Sequence, residues 1–224
     1  MGEYYRWVNV DKKEYLSPGD FDLGNKRMES IHKNNAVLCA LQELLAADWK
    51  DDRIIFLGDE CDAPENIEME IFKIILKDAE EDDDKGFLFD TVFNLYRNIS
   101  GLFKATEKDV RDEIEFYLWE MSIRRKGVHN EYGVDLNDPY KDLFTRTGMN
   151  FKFILNHTQK CGYSLGMTKI RFRDYEECDY ADPLPLLMSY GRSSETGAWL
   201  GDIVGVADTF PSDYTLLSEI FLDW

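Results

Sequence analysis

Two stretches decide how this chain is read: YYRWVNVDKKEY, residues 4–15, and NFKFILNHTQKCGY, residues 150–163. With Asn9 set against Asn156, each runs from an aromatic and aliphatic strand pattern into Asn-x-Asp/Thr-x-Lys, ending at Lys13 and Lys160. A tyrosine follows in both, one residue out of register (Tyr15 and Tyr163). A second pair lies downstream: WKDDRIIFLGD, residues 49–59, resembles WLGDIVGVAD, residues 199–208. Asn9 to Trp49 is 40 residues and Asn156 to Trp199 is 43, so both anchors recur in order at nearly constant separation. Matches of this kind predict an internal duplication.

The local patterns fit such a unit. YRWVNV and FKFILNH read as short strands bounded by polar turn formers. NNAVLCALQELLAADW (34–49) places Val37, Leu41, Leu44 and Leu45 on one helical face, with Asn34 or Asn35 as cap. Its counterpart, ADPLPLLMSY (181–190), carries Pro183 and Pro185, which limit any helix to a short one starting there. RIIFLGD and DIVGVAD read as buried strands.

Between the units the composition changes to helical periodicity. Ile67, Ile71, Ile74 and Ile75 share one face, as do Phe89, Val92, Phe93 and Tyr96. A third stripe is Val110, Ile114, Tyr117, Leu118 and Met121, with Thr106 as N-cap. The predicted fold is α+β: two duplicated strand–helix–strand units packed together, with a three-helix insertion between them. The boundaries are 1–66 for the first β-rich unit, 67–126 for the acidic helical insert, and 127–224 for a connecting loop and the second unit, within one compact domain.

Charge constrains partners. Lys and Arg number 26 against 44 Asp and Glu, a net charge of −18 over 224 residues. Such a field disfavours direct nucleic-acid binding. No apolar run reaches the ~18 residues of a spanning helix, and the first residues lack the basic and apolar regions of a secretory leader. The expected location is the cytoplasm, with no membrane partner. Hydrophobic residues at 44% and aromatics at 14% argue for an ordered core. Four cysteines, none spaced as Cys-x-x-Cys, fit a reducing compartment. Cys39 sits in an apolar run, whereas Cys61 and Cys178 each lie between Glu and Asp, which opposes thiolate formation.

Two-thirds of the net charge falls between residues 59 and 120, with nineteen acids and seven bases. At its centre stand Glu80, Glu81, Asp82, Asp83 and Asp84. This run reads as a solvated loop, or as a surface for a basic protein partner together with the helix acids Asp109, Asp112, Glu113 and Glu115. It does not match an EF-hand spacing.

No phosphate-binding loop, dinucleotide fingerprint, HExxH or GxSxG is present, so no cofactor is expected. His32, His129 and His157 are not paired at i, i+4 for zinc. His157 follows a strand, a place for a general base, although Asn156 and Thr158 suit a strand-end turn equally. Asp52 and Asp202, with Asp59 and Asp208, form one acidic pair per unit. They are candidates for acid–base work or a divalent ion if the copies meet at a pseudo-two-fold axis, and turn caps otherwise. Trp49 and Trp199 read as wedges between helix and sheet. Gly191–Trp199 lacks a counterpart in the first unit and reads as a binding loop or a connector.

The motifs WVNVDKKEY, SPGDFDLGNK, DWKDDRIIFLGDE, ISGLFKATEKDVRDEIE, EYGVD, NHTQK and DPLPLLM resemble a group of uncharacterised proteins from anaerobic Gram-positive bacteria. That resemblance implies a bacterial origin and assigns no catalytic residue. Two function classes remain: an acidic binding protein such as an inhibitor or immunity protein, or an enzyme or small-ligand or metal-binding protein with a cleft between the units.

Overall fold

The computed structural model describes residues 3–21, 23–62, 64, 68–80, 88–103, 151–171, 177–178, 180–192 and 196–222. These form an α+β fold of mixed sheets and helices. The first half contains β1 (Tyr5–Asn9), β2 (Glu14–Leu16), α1 (Ala36–Ala46) and β3 (Ile54–Gly58). It is followed by α2 (Glu70–Ala79), α3 (Leu88–Leu95) and β4 (Arg97–Asn98). The second half contains β5 (Phe153–Asn156), β6 (Cys161–Ser164), β7 (Lys169–Arg171), α4 (Leu184–Leu187) and β8 (Ser189–Tyr190). It ends with β9 (Val204–Ala207), β10 (Thr215–Leu217) and β11 (Glu219–Phe221).

The first sheet has the order β4-β2-β1-β3-β8 and the second the order β10-β6-β5-β9. In each, one inner strand, β1 or β5, is antiparallel to both neighbours, and the outer strand β4 or β10 runs parallel to β2 or β6. The registers agree as well. Asn9 faces Glu14 and Ile54, while Asn156 faces Cys161 and Val204. Arg97 N–H donates to Lys13 O (2.8 Å), and Thr215 N–H to Lys160 O (2.9 Å). This register aligns Tyr15 with Gly162 and Leu16 with Tyr163. The one-residue offset between the two tyrosines therefore turns Tyr15 and Tyr163 to opposite faces of their sheets.

The inner faces of both sheets meet in one core. Trp7, Phe56 and Ile54 join Ile154, Tyr163 and Val204 there, together with Leu38, Leu41 and Leu45 of α1 and Leu184 of α4. Trp49 and Trp199 are buried in this core, as wedges would be. The α1 helix begins at an Asn35 cap, whose side chain accepts from Leu38 N–H at 2.8 Å and supplies one of the acceptors that a first turn lacks. The α4 helix is a single turn, as its prolines require.

The outer face of the first sheet carries Val8, Val10, Tyr15, Ile55 and Leu57, which pack against Ile71, Phe72 and Ile75 of α2 and Leu88 and Val92 of α3. Phe93, predicted on the apolar stripe of α3, is instead 53% exposed; its ring lies 4.9 Å from the Arg6 guanidinium, which also stacks on Phe89 and Tyr15. A cation over aromatic faces holds such a ring at a wet boundary. The predicted third helix of the insert, with its cap Thr106, lies outside the described residues.

Residues after α4 cross to the other sheet. β8 lies parallel to β3, with Ser189 beside Phe56 and Tyr190 beside Leu57, and Phe56 N–H donates to Met188 O. The chain then returns through Gly197 N–H to Ser189 O and Trp199 N–H to Leu187 O. The segment beginning at Gly191 therefore connects a strand that the second half lends to the first sheet. No described helix is long and apolar enough to cross a membrane.

Candidate functional site

The residues expected to do chemistry sit at the strand ends. Asn9 is fully buried; its amide donates to Asp52 Oδ2 (2.8 Å), and its carbonyl oxygen accepts from Lys12 N–H (2.9 Å). Asn156 is equally buried and repeats both bonds, donating to Asp202 Oδ2 (2.7 Å) and accepting from Gln159 N–H (2.9 Å). Each Asn thus ties its own turn to the loop entering β3 or β9. The turns close alike: Lys13 and Lys160 both adopt φ 56°, and Arg53 N–H and Ile203 N–H bond the side chains of Asp11 and Thr158. Asp52 and Asp202 are therefore latches within their own halves. Lys12 lies 3.8 Å from Asp52, and Gln159 donates to Asp202 at 2.6 Å.

The other candidates separate similarly. Asp59 accepts from Tyr4 N–H and fixes the far end of β1, while Asp208 is exposed. Among the described residues no group of three or more His, Cys, Asp or Glu side chains is arranged to hold a metal ion. Glu80 is the exposed C-cap of α2. Glu81 to Asp84, and Asp109, Asp112, Glu113 and Glu115, lie outside the described residues, as does His129. His32 stacks on Tyr180 at the entry to α1. Cys61 is buried, and desolvation, with Glu3, Asp62 and Asp59 nearby, pushes its thiol up to about 12. Burial and nearby carboxylates hold Cys39 and Cys161 above the usual thiol range.

His157 is the candidate with a built environment. It leaves β5 on the outer face of the second sheet, where the first sheet has Val10. Its Nδ1 is 2.9 Å from Tyr214 Oη, with the rings edge to face. Its Nε2 lies where a Cβ on Gly205 would sit, so only glycine in β9 admits the imidazole at this depth. A Cβ on Gly162 would likewise press on the Ile154 carbonyl and on Phe210, whose ring packs against Phe153 and Tyr214. Lys160 Nζ stands 4.8 Å from the Tyr214 ring centroid and 3.7 Å from Asp213. Burial lowers the His157 pKa below its ordinary value; Lys160 and Lys50 add to this, and Asp51 opposes it.

The first half places a different hydrogen-bond partner at the equivalent point. Tyr96 precedes β4 as Tyr214 precedes β10, and its hydroxyl donates to Asp78 Oδ2 at 2.7 Å. Lys13 Nζ holds the other oxygen of Asp78, also at 2.7 Å, and Asp78 is buried at the end of α2. Burial and Asp78 push the Tyr96 hydroxyl well above its ordinary range. The pairing of each lysine with a tyrosine has little sequence signal. The tyrosines stand in FNLYRN and FPSDYT, which share only an aromatic three or four residues earlier.

Comparison with known proteins adds no assignment: no family model, no curated protein and no solved structure matches this chain.

Proposed function

We propose that this chain is a binding protein that engages a basic protein partner, in the manner of an inhibitor or an immunity protein of the bacterial cytoplasm. The observation that carries this reading is charge: −18 in all, concentrated between residues 59 and 120. Within that region Glu68, Glu70, Glu80 and Asp90 are exposed. A negative surface of this kind accelerates encounter with a positive partner and makes the complex salt-sensitive. The alternative, an enzyme or a small-ligand or metal-binding protein with a cleft between the halves, would use His157 and the pairs Asp52/Asp202 and Asp59/Asp208. Asp52 and Asp202 are engaged as turn latches, which favours the binding reading.

We also infer that the halves descend from one duplicated unit. The common strand order, the common register and the paired Asn–Asp latches support this. Exchanging Asp11 and Lys12 with Thr158 and Gln159, which leaves Val10 and His157 under their own covers, tests the equivalence of the turns: interchangeable turns leave the chain folded, and turns that only look alike do not.

The binding reading is tested by pull-down from the source bacterium at low and then high salt, followed by kinetics on the retained basic protein. Neutralising Glu80→Gln, Glu81→Gln, Asp82→Asn, Asp83→Asn and Asp84→Asn together should slow association at low salt by about tenfold and flatten its salt dependence. An unchanged affinity and salt slope would remove the reading.

A further inference from the structure

Two donors recur at matched places in the two halves, and in the first half they hold a carboxylate. Lys13 follows the latched turn in the left-handed conformation, Tyr96 stands just before the parallel outer strand, and Asp78 fills the space between them with 2.7 Å bonds to each. In the second half Lys160 and Tyr214 take the same backbone positions, with Lys160 Nζ 4.8 Å from the Tyr214 ring centroid. Residues 208–214 link β9 to β10 there, with no helix like α2 to deliver an acid. The hydrogen-bond partner of Tyr214 is the imidazole of His157, and Lys160 keeps a 3.7 Å contact to Asp213, the Lys160 and Asp213 side chains being more than half exposed. An ion pair that wet is weakly held.

We propose that Lys160 and Tyr214 form a binding site for a carboxylate supplied from outside the chain, occupying the place that Asp78 occupies in the first half. The His157–Tyr214 bond gives the site two settings. With the imidazole proton on Nε2, the tyrosine donates to Nδ1 and its O–H is occupied. With the proton on Nδ1, the imidazole donates to the tyrosine oxygen and the O–H is free to donate to a carboxylate, as Tyr96 donates to Asp78. Ligand entry therefore moves one proton from Nε2 to Nδ1 through water, with no net uptake. The ligand class is a carboxylic acid anion, either a small free acid or an acidic side chain of a polypeptide. This site uses none of the residues of the binding reading, so either can fail alone.

The experiment is nitrogen-15 NMR of the His157 ring in the full chain at pH 7.5, with sodium glutarate, a pentaglutamate peptide, and sodium chloride at matched ionic strength. The expected result is a saturable movement of Nδ1 from the unprotonated to the protonated range with a carboxylate, and none with chloride. Tyr214→Phe should abolish it, and Lys160→Met should weaken binding at least tenfold. Lys160, exposed, serves as the second variant should Tyr214→Phe unfold the chain. Peptide binding tenfold tighter than glutarate assigns the ligand to a polypeptide, and equal or weaker peptide binding assigns it to a small acid. A His157 response to both carboxylates no greater than that to chloride overturns the proposal, as does saturation unaltered in Lys160→Met.

Discussion

The outer faces of the two sheets show how one strand plan serves two purposes. On the first, Val8, Val10, Tyr15, Ile55 and Leu57 make a thick apolar surface under α2 and α3. On the second, the register places Leu155, His157, Gly162, Gly205 and Ala207 at the same points. Side-chain volume has dropped at Gly162, Gly205 and Ala207. The space left over is filled from a short loop by Phe210 and Tyr214, and by the imidazole lying over Gly205. A sheet face and its cover are thus chosen together. Where helices cover the face its residues are large, and where a loop covers it glycines admit the loop's aromatics.

The comparison breaks most visibly on the first sheet. Ile55→Ala removes a fully buried side chain beneath α2 and should cost about 4 kcal/mol, read as a fall in the urea midpoint at constant slope. Its counterpart is already a glycine. The reverse change there, Gly205→Val, drives a side chain into His157 and should cost about 3 kcal/mol. Adding His157→Ala should recover part of that loss, because the two changes share one volume. Independent costs in the double variant would mean that the glycine is not there for the ring.

Polar positions sharpen the contrast. Lys13→Met strips a buried carboxylate of its cation and leaves it with Tyr96 alone, a loss of about 2 kcal/mol. Lys160→Met removes an exposed ion pair to Asp213 and a cation from the half-buried Tyr214 ring, and should change stability by about 1 kcal/mol or less. Equal losses would mean that the lysines are not used differently. At the latches, by contrast, the halves should behave alike. Asn9→Ala and Asn156→Ala each remove two bonds from a buried amide, and each should cost about 1.5 kcal/mol by thermal or chemical unfolding.

Much of this plan is legible in the amino-acid sequence. The Asn and Trp anchors, the Asn35 cap and the proline-limited α4 are local signals, fixed by capping and backbone sterics, and the α+β class follows from them. What stays hidden depends on strands far apart in the chain. That Asp52 and Asp202 are latches follows only once each faces an Asn more than forty residues away. The pairing of His157 with Gly205 depends on the β5–β9 register, and that of Tyr96 with Tyr214 on which strand joins the sheet edge. The excursion of Ser189 and Tyr190 to the first sheet leaves no sequence sign, because two residues are too few for a strand pattern.

The smallest difference between the faces is one of proton linkage. Val10 cannot titrate, whereas His157 can, and burial lowers its pKa in the folded chain below the unfolded value near 6.5. The unfolded chain then binds the proton more readily than the folded one. The contribution to stability is present above the unfolded value and is lost as pH falls through the lowered folded value. Asp51 works against this shift, and Lys160 and Lys50 work with it. With His157 only half-buried the effect is modest. Thermal midpoints measured from pH 7.5 to 5.5 should decline in the native chain, and His157→Val, which installs the residue of the first half, should flatten that part of the profile. An identical decline in the variant would place the acid sensitivity elsewhere and leave the imidazole as a packing group over Gly205.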